Sequence, residues 1–190
     1  MEQTICIFGD SITWGAWDPE NGGWVALLRR YFEMNDYNIA VYNQGVAGDS
    51  TEDLLKRFKV ECIAREPQTI IFAIGINDSQ CINSKDNPRV SLEKFQNNLV
   101  ELINQAKNFS DKILFIGLTK VEDGQFYNNE NIAKYNAMIE KVSAEYKLPF
   151  LNLFDLLEMS DLYDGLHPNS KGHKKMFLGI KEFLVENKIV

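Results

Sequence analysis

Ser11, Asp164 and His167 have the residue types and spacing that nucleophilic chemistry needs. The apolar run Thr4-Ile5-Cys6-Ile7-Phe8 stops abruptly at Gly9-Asp10-Ser11, which reads as a buried strand entering a tight turn. Such a turn at the carboxyl edge of a parallel sheet holds a hydroxyl out into a crevice, where a nucleophile has to sit. Ester cleavage by a serine further needs a base, a group that orients the base, and donors for the oxyanion. The chain has two histidines. His167 lies in Asp164-Gly165-Leu166-His167-Pro168-Asn169, just ahead of the last helical pattern. Within one tight turn, that three-residue spacing lets the Asp164 carboxylate reach an imidazole nitrogen and fix its tautomer. His173, in Lys171-Gly172-His173, has no acidic neighbour at a turn and reads as a packing or surface residue.

Two further segments offer oxyanion donors. Gly75-Ile76-Asn77-Asp78 follows a strand pattern directly, so the Asn77 side-chain amide faces the same crevice. In Asn43-Gln44-Gly45-Val46-Ala47-Gly48-Asp49, Gly45 presents a backbone N–H with no side chain in the way. With the N–H of Ser11 these make three donors. Each segment alone is also ordinary turn chemistry; what they share is position at strand ends and at the entry to the last helix. Trp14, Trp17 and Trp24 cluster around the loop after Ser11. Trp24 reads as core on its helix, and Trp14 as the pocket residue. Asp10 and Ile76, beside Ser11 and Asn77, are further candidate substrate contacts.

The elements that must position these residues alternate. Strand patterns fall at 4–8, 37–43, 69–74, 112–118 and 149–153, and helical patterns at 24–34, 51–64, 91–108, 129–146 and 170–186. Ser50 with Asp53 resembles a capping box at the start of the second helix. The nearly unbroken apolar run 69–74 is that of a strand covered on both faces. Five such units predict an α/β chain with a parallel sheet between two helical layers, joined by right-handed crossovers. The two long polar loops, 14–23 and 79–90, follow strand ends, where such sheets bind ligands.

One hundred and ninety residues fit one domain spanning 1–190. The net charge of −7 argues against nucleic acid or an anionic membrane as partner. The three cysteines, Cys6, Cys62 and Cys81, fit neither a disulfide framework nor a zinc site. The reading requires no metal and no cofactor. Met1-Glu2-Gln3 is not a basic leader segment, and no run is long enough to span a bilayer, so a cytoplasmic location is expected.

The ordered set of segments resembles the blocks of the SGNH hydrolase superfamily, the GDSL esterases and lipases. Gly9-Asp10-Ser11-Ile12 resembles the first block, with Ile for the usual Leu. Gly45 resembles the glycine of the second, Gly75-Ile76-Asn77-Asp78 the G-x-N-D of the third, and Asp164-Gly165-Leu166-His167 the D-x-x-H of the last. The resemblance covers nearly the whole chain. It departs after the fourth strand, where many relatives have proline and this chain reads Thr119-Lys120-Val121. It implies a flavodoxin-like three-layer fold with strand order 2-1-3-4-5. It further implies Ser11 as nucleophile, His167 as base, Asp164 as its orienter, and an oxyanion hole from Ser11 N–H, Gly45 N–H and the Asn77 side chain. The expected reaction is hydrolysis of short-chain carboxylic esters, including acetyl esters of carbohydrates. Lysophospholipase, thioesterase or acyltransferase activity would use the same residues. A non-catalytic binding module on a flavodoxin-like fold is the reading of another class, and the Trp-containing stretch after Ser11 suits a phosphate loop poorly.

Overall fold

The computed structural model describes residues 3–35, 37–84 and 87–190. Met1, Glu2, residue 36 and residues 85 and 86 of the polar 79–90 loop lie outside the described residues. The strands are β1 (Gln3–Gly9), β2 (Ile39–Gly45), β3 (Thr69–Ala73), β4 (Lys112–Ile116) and β5 (Phe150–Leu151). They form one parallel sheet in the order β2-β1-β3-β4-β5. The helices are α1 (Ser11–Trp14), α2 (Gly23–Met34), α3 (Thr51–Arg65), α4 (Leu92–Ala106), α5 (Asn129–Glu145) and α6 (Ser170–Glu186). Helix α2 packs on α6, while α3 packs on α4 and α4 on α5, so helices flank the sheet in two groups.

The middle of the sheet explains the unbroken apolar run of β3, whose first four residues are buried. Phe8, Phe72 and Phe115 are register partners across β1, β3 and β4. Their rings form a row, with Phe72 stacked 5.1 Å from Phe115, and Phe58 of α3 covers it at 4.8 Å from Phe8. This aromatic row fixes the register of the strands whose ends carry Ser11 and Asn77.

The structure departs from the sequence reading in two local respects. The turn after β1 closes into the one-turn helix α1, because the Asp10 carboxylate accepts the Ile12 N–H at 2.9 Å and caps it. Strands β3, β4 and β5 are shorter than the apolar runs that announce them, since those runs stay buried beyond the last ladder pair. The Ser50–Asp53 capping box is present: the Ser50 N–H and Oγ–H both donate to the Asp53 carboxylate.

Phe72 has no exposed surface. Phe72→Ala is expected to lower unfolding free energy by about 3–5 kcal/mol, read as a drop in denaturant midpoint at unchanged slope.

Candidate active site

The sheet edge at the carboxyl ends of β1, β2 and β3 gathers the chemistry. Ser11 begins α1, and the end of β2 clamps that short helix. Asn43 Nδ2 donates to Thr13 O at 2.9 Å. Gly45 runs so close beneath α1 that a Cβ there would sit 2.3 Å from Trp14 N. From the far end of the chain, His167 Nε2 comes within 2.9 Å of Ser11 Oγ, and Asp164 Oδ2 lies 2.8 Å from His167 Nδ1. Asp164 Oδ1 also accepts the backbone N–H groups of His167 (2.8 Å) and Leu166 (3.1 Å). Burial works against charge on Asp164, but these hydrogen bonds outweigh it and hold the carboxyl below its ordinary value. An ionised carboxylate only accepts. The imidazole proton therefore sits on Nδ1, which leaves Nε2 to accept the Ser11 hydroxyl proton.

Asn77 is gripped on both sides of its amide. Tyr127 OH donates to Oδ1 and Nδ2 donates to Asp49 O, each at 2.9 Å. That fixes the amide orientation and leaves one Nδ2–H uncommitted. Burial pushes the Tyr127 hydroxyl up to about 12, so it stays a donor across the neutral range. The Gly45 N–H, expected to face the crevice, donates instead to Asn43 Oδ1 at 2.9 Å, in a turn that closes on its own side chain. Three residues on, Gly48 adopts φ +82°, and space around its α-carbon is open. Arg89 Nη1 holds the Gly48 carbonyl at 2.8 Å. Sequence reasoning passed over Gly48, Tyr127 and Arg89. Gly48 was legible as a second glycine in the same segment; nothing in the local sequence marks Tyr127 or Arg89.

Buried acids lie behind these loops. Burial, with the Asp78 and Asp49 carboxylates nearby, pushes Asp10 up to about 7, against the pull of the Ile12 N–H. Burial likewise raises Asp78 to about 6, although Thr51 supplies it with both a hydroxyl and a backbone N–H. Asp78 thereby ties the end of β3 to the start of α3, and Asn98 completes the link by donating to Thr51 Oγ1 at 2.9 Å. Arg57 pairs with Asp49 at 2.7 Å and donates to the Gly9 carbonyl at 3.1 Å.

A groove of about 900 Å3 opens beside Ser11 and His167. Trp14, Trp17 and Tyr163 line it, and each is at least half exposed. The Trp17 and Tyr163 rings stack at 4.7 Å, and Trp17 stands edge-on to the His167 ring at 6.5 Å. Trp14 is thus placed as expected. Asp10 and Ile76 are not: both are buried, and they face a small internal cavity rather than the groove. Trp24 is fully buried core, and His173 is a packing residue. His173 Nε2 faces Ala16 O at 3.0 Å, and Nδ1 accepts the Trp24 N–H at 3.4 Å. Burial lowers its pKa and keeps it neutral. Cys6, Cys62 and Cys81 are buried, and none forms a disulfide among the described residues. Among the described residues no acidic, His or Cys cluster suits a metal ion, and no helix is long and apolar enough to cross a membrane.

The chain belongs to the GDSL-like lipase/acylhydrolase family, whose family model matches residues 7–175. Membership makes it a carboxylic ester hydrolase. Among solved structures it is similar to a lipase/acylhydrolase from Enterococcus faecalis, with TM-score 0.80, 24% identity, and 97% of this chain and 96% of that one covered. It is also similar to an acetylxylan esterase from Geobacillus stearothermophilus, with TM-score 0.80, 21% identity, and 96% and 94% covered. Among curated proteins it is 24% identical to esterase TesA of Pseudomonas aeruginosa, over 87% of this chain and 80% of that protein.

A carboxyl with a raised folded-state pKa binds its proton more tightly folded than unfolded. Asp10 therefore carries no penalty below its ordinary value of 3.8 and destabilises increasingly as pH climbs to about 7. Asp10→Asn is expected to gain stability relative to wild type across that interval, by up to ~1.4 kcal/mol per pH unit. Paired unfolding curves from acid to mildly alkaline pH measure it; a constant difference would show that Asp10 does not titrate there.

Proposed function

We propose that this protein is a serine esterase that hydrolyses short-chain carboxylic esters through an acyl-enzyme, with Ser11 as nucleophile, His167 as base and Asp164 as its orienter. The observation that carries the reading is the continuous hydrogen-bond chain from Ser11 Oγ through the imidazole to Asp164, at 2.9 and 2.8 Å, opening onto the aromatic groove. As Ser11 Oγ attacks the ester carbonyl, Nε2 takes its proton and Asp164 stabilises the imidazolium that forms. The Ser11 N–H and the uncommitted Asn77 Nδ2–H serve the oxyanion. The third donor is the N–H of Gly48 rather than that of Gly45, because Asn43 already holds the latter. His167 returns its proton to the leaving alcohol, then activates the water that releases the acid.

The substrate class follows from the groove. The Trp14, Trp17 and Tyr163 rings in its lining give flat, rigid faces suited to a sugar ring or a compact alcohol carrying a small acyl group. The names of two similar proteins, an acetylxylan esterase and an isoamyl acetate-hydrolyzing esterase, point the same way. The second reading, thioesterase or lysophospholipase action, is favoured by the same apolar lining and by the name of the Escherichia coli relative, thioesterase 1/protease 1/lysophospholipase L1.

A series of p-nitrophenyl esters from acetate to palmitate separates the two. Rates are expected to peak at acetate or butyrate; a peak at the long chains would transfer the assignment to lipid or thioester substrates. Ser11→Ala should lose about 10⁴-fold or more in kcat, and equal rates in wild type and variant would end the proposal. Asn77→Ala should cost ~100-fold in kcat, about 3 kcal/mol, with the protein still folded but melting lower for the loss of the Tyr127 and Asp49 hydrogen bonds. In a crystal structure of the phosphonylated enzyme, the phosphonyl oxygen should lie within hydrogen-bond distance of Gly48 N. Contact with Gly45 N instead would restore the first assignment.

A further inference from the structure

A cavity of about 20 Å3 lies on the far side of the Ser11 turn from the substrate groove. Most of its wall is apolar, with Ile12, Ile116 and Met176 among the residues present. Four polar side chains interrupt it: Asp10 after β1, Thr13 on α1, Trp24 on α2 and Thr119 after β4. All four are nearly or fully buried, and the Thr13 hydroxyl already donates to Ala73 O at 3.3 Å. Trp24 Nε1 and Thr119 Oγ1 have no hydrogen-bond partner among the described residues. An orphaned buried donor is costly, so two that line one cavity with a carboxyl call for a shared partner.

The chemistry of the lining selects that partner. The indole N–H only donates, which rejects a cation. The Asp10 carboxyl rejects an anion. A single water both accepts and donates, and the volume holds about one, which needs two to four polar partners. We propose that this cavity is a structural water site, in which one water joins Asp10, Trp24 and Thr119 and so positions the nucleophile. The water accepts from Trp24 Nε1–H and Thr119 Oγ1–H and donates to the Asp10 carboxyl. Asp10 is also the group that caps α1 through Ile12 N–H. Thr119 and Trp24 thereby act on Ser11 through Asp10, as positioning residues. This positioning role, unlike the water site, rests on Ser11 being the nucleophile.

The test combines density with reactivity. A wild-type crystal structure at atomic resolution should show one isolated peak within ~3.2 Å of Trp24 Nε1, Thr119 Oγ1 and an Asp10 oxygen. A cavity without ordered density, or a peak out of reach of Asp10, would overturn the site. Thr119→Val keeps the side-chain shape without the hydroxyl, whereas Thr119→Ser keeps the hydroxyl. The rate at which a phosphonate labels Ser11 should fall roughly fivefold in Thr119→Val, the kinetic equivalent of one hydrogen bond, and recover in Thr119→Ser. An unchanged rate in Thr119→Val would overturn the positioning role. If wild type itself resisted labelling, the serine mechanism would fail, while the density would still decide the water site.

Discussion

Every strand of this sheet runs the same way, and that single constraint brings the chemistry together. Parallel pairing forces each connection to cross over through a helix, so all strands release the chain at one edge. Ser11, Gly48 and Asn77 leave β1, β2 and β3 at that edge. The aromatic row of Phe8, Phe72 and Phe115 locks the register of three of the strands. A slip of one residue between β1 and β3 would exchange the two faces of the slipped strand and break this row.

Behind that edge lies an unusual concentration of buried acid. Asp10 and Asp78 sit where burial opposes their ionisation, and Asp49 lies within electrostatic reach of Asp10. Both carboxylates accept backbone N–H groups at chain turns. Asp10 caps the helix that begins with Ser11, and Asp78 caps the loop into α3. Arg57 and Arg89 balance the charge from the outside, holding the carbonyls of Gly9 and Gly48. The site is stiff where its donors lie and open where the substrate enters, since the Trp14, Trp17 and Tyr163 rings stand in solvent. Preorganised donors of this kind stabilise developing charge without having to reorient at the moment of reaction.

Much of this was legible in the residues. The alternation of apolar runs with helical periodicity gave the layer order, and the Asp164–His167 spacing put the carboxylate within reach of an imidazole nitrogen, which the structure shows to be Nδ1. Element ends were less legible. Hydrophobicity reports burial, and residues beyond the last ladder pair of β3 and β4 remain buried. The short helix α1 was missed because its signal is one side-chain cap on a single turn.

The sequence by itself determined the fold class, the nucleophile, base and orienter candidates, and the sheet edge they share. These depend on periodicity and on contacts within a few residues, which a one-dimensional pattern encodes. Only the tertiary structure decided which glycine N–H remains uncommitted, which aromatic rings face the groove, and that Tyr127 orients Asn77. It alone brought Trp24 and Thr119 to one cavity with Asp10. Those outcomes turn on whether a hydrogen-bonding group has already found a partner, and such partners lie far apart in the chain, 50 residues for Tyr127 and Asn77. Pairing at that range is settled by three-dimensional packing, which leaves no mark in the spacing of residue types.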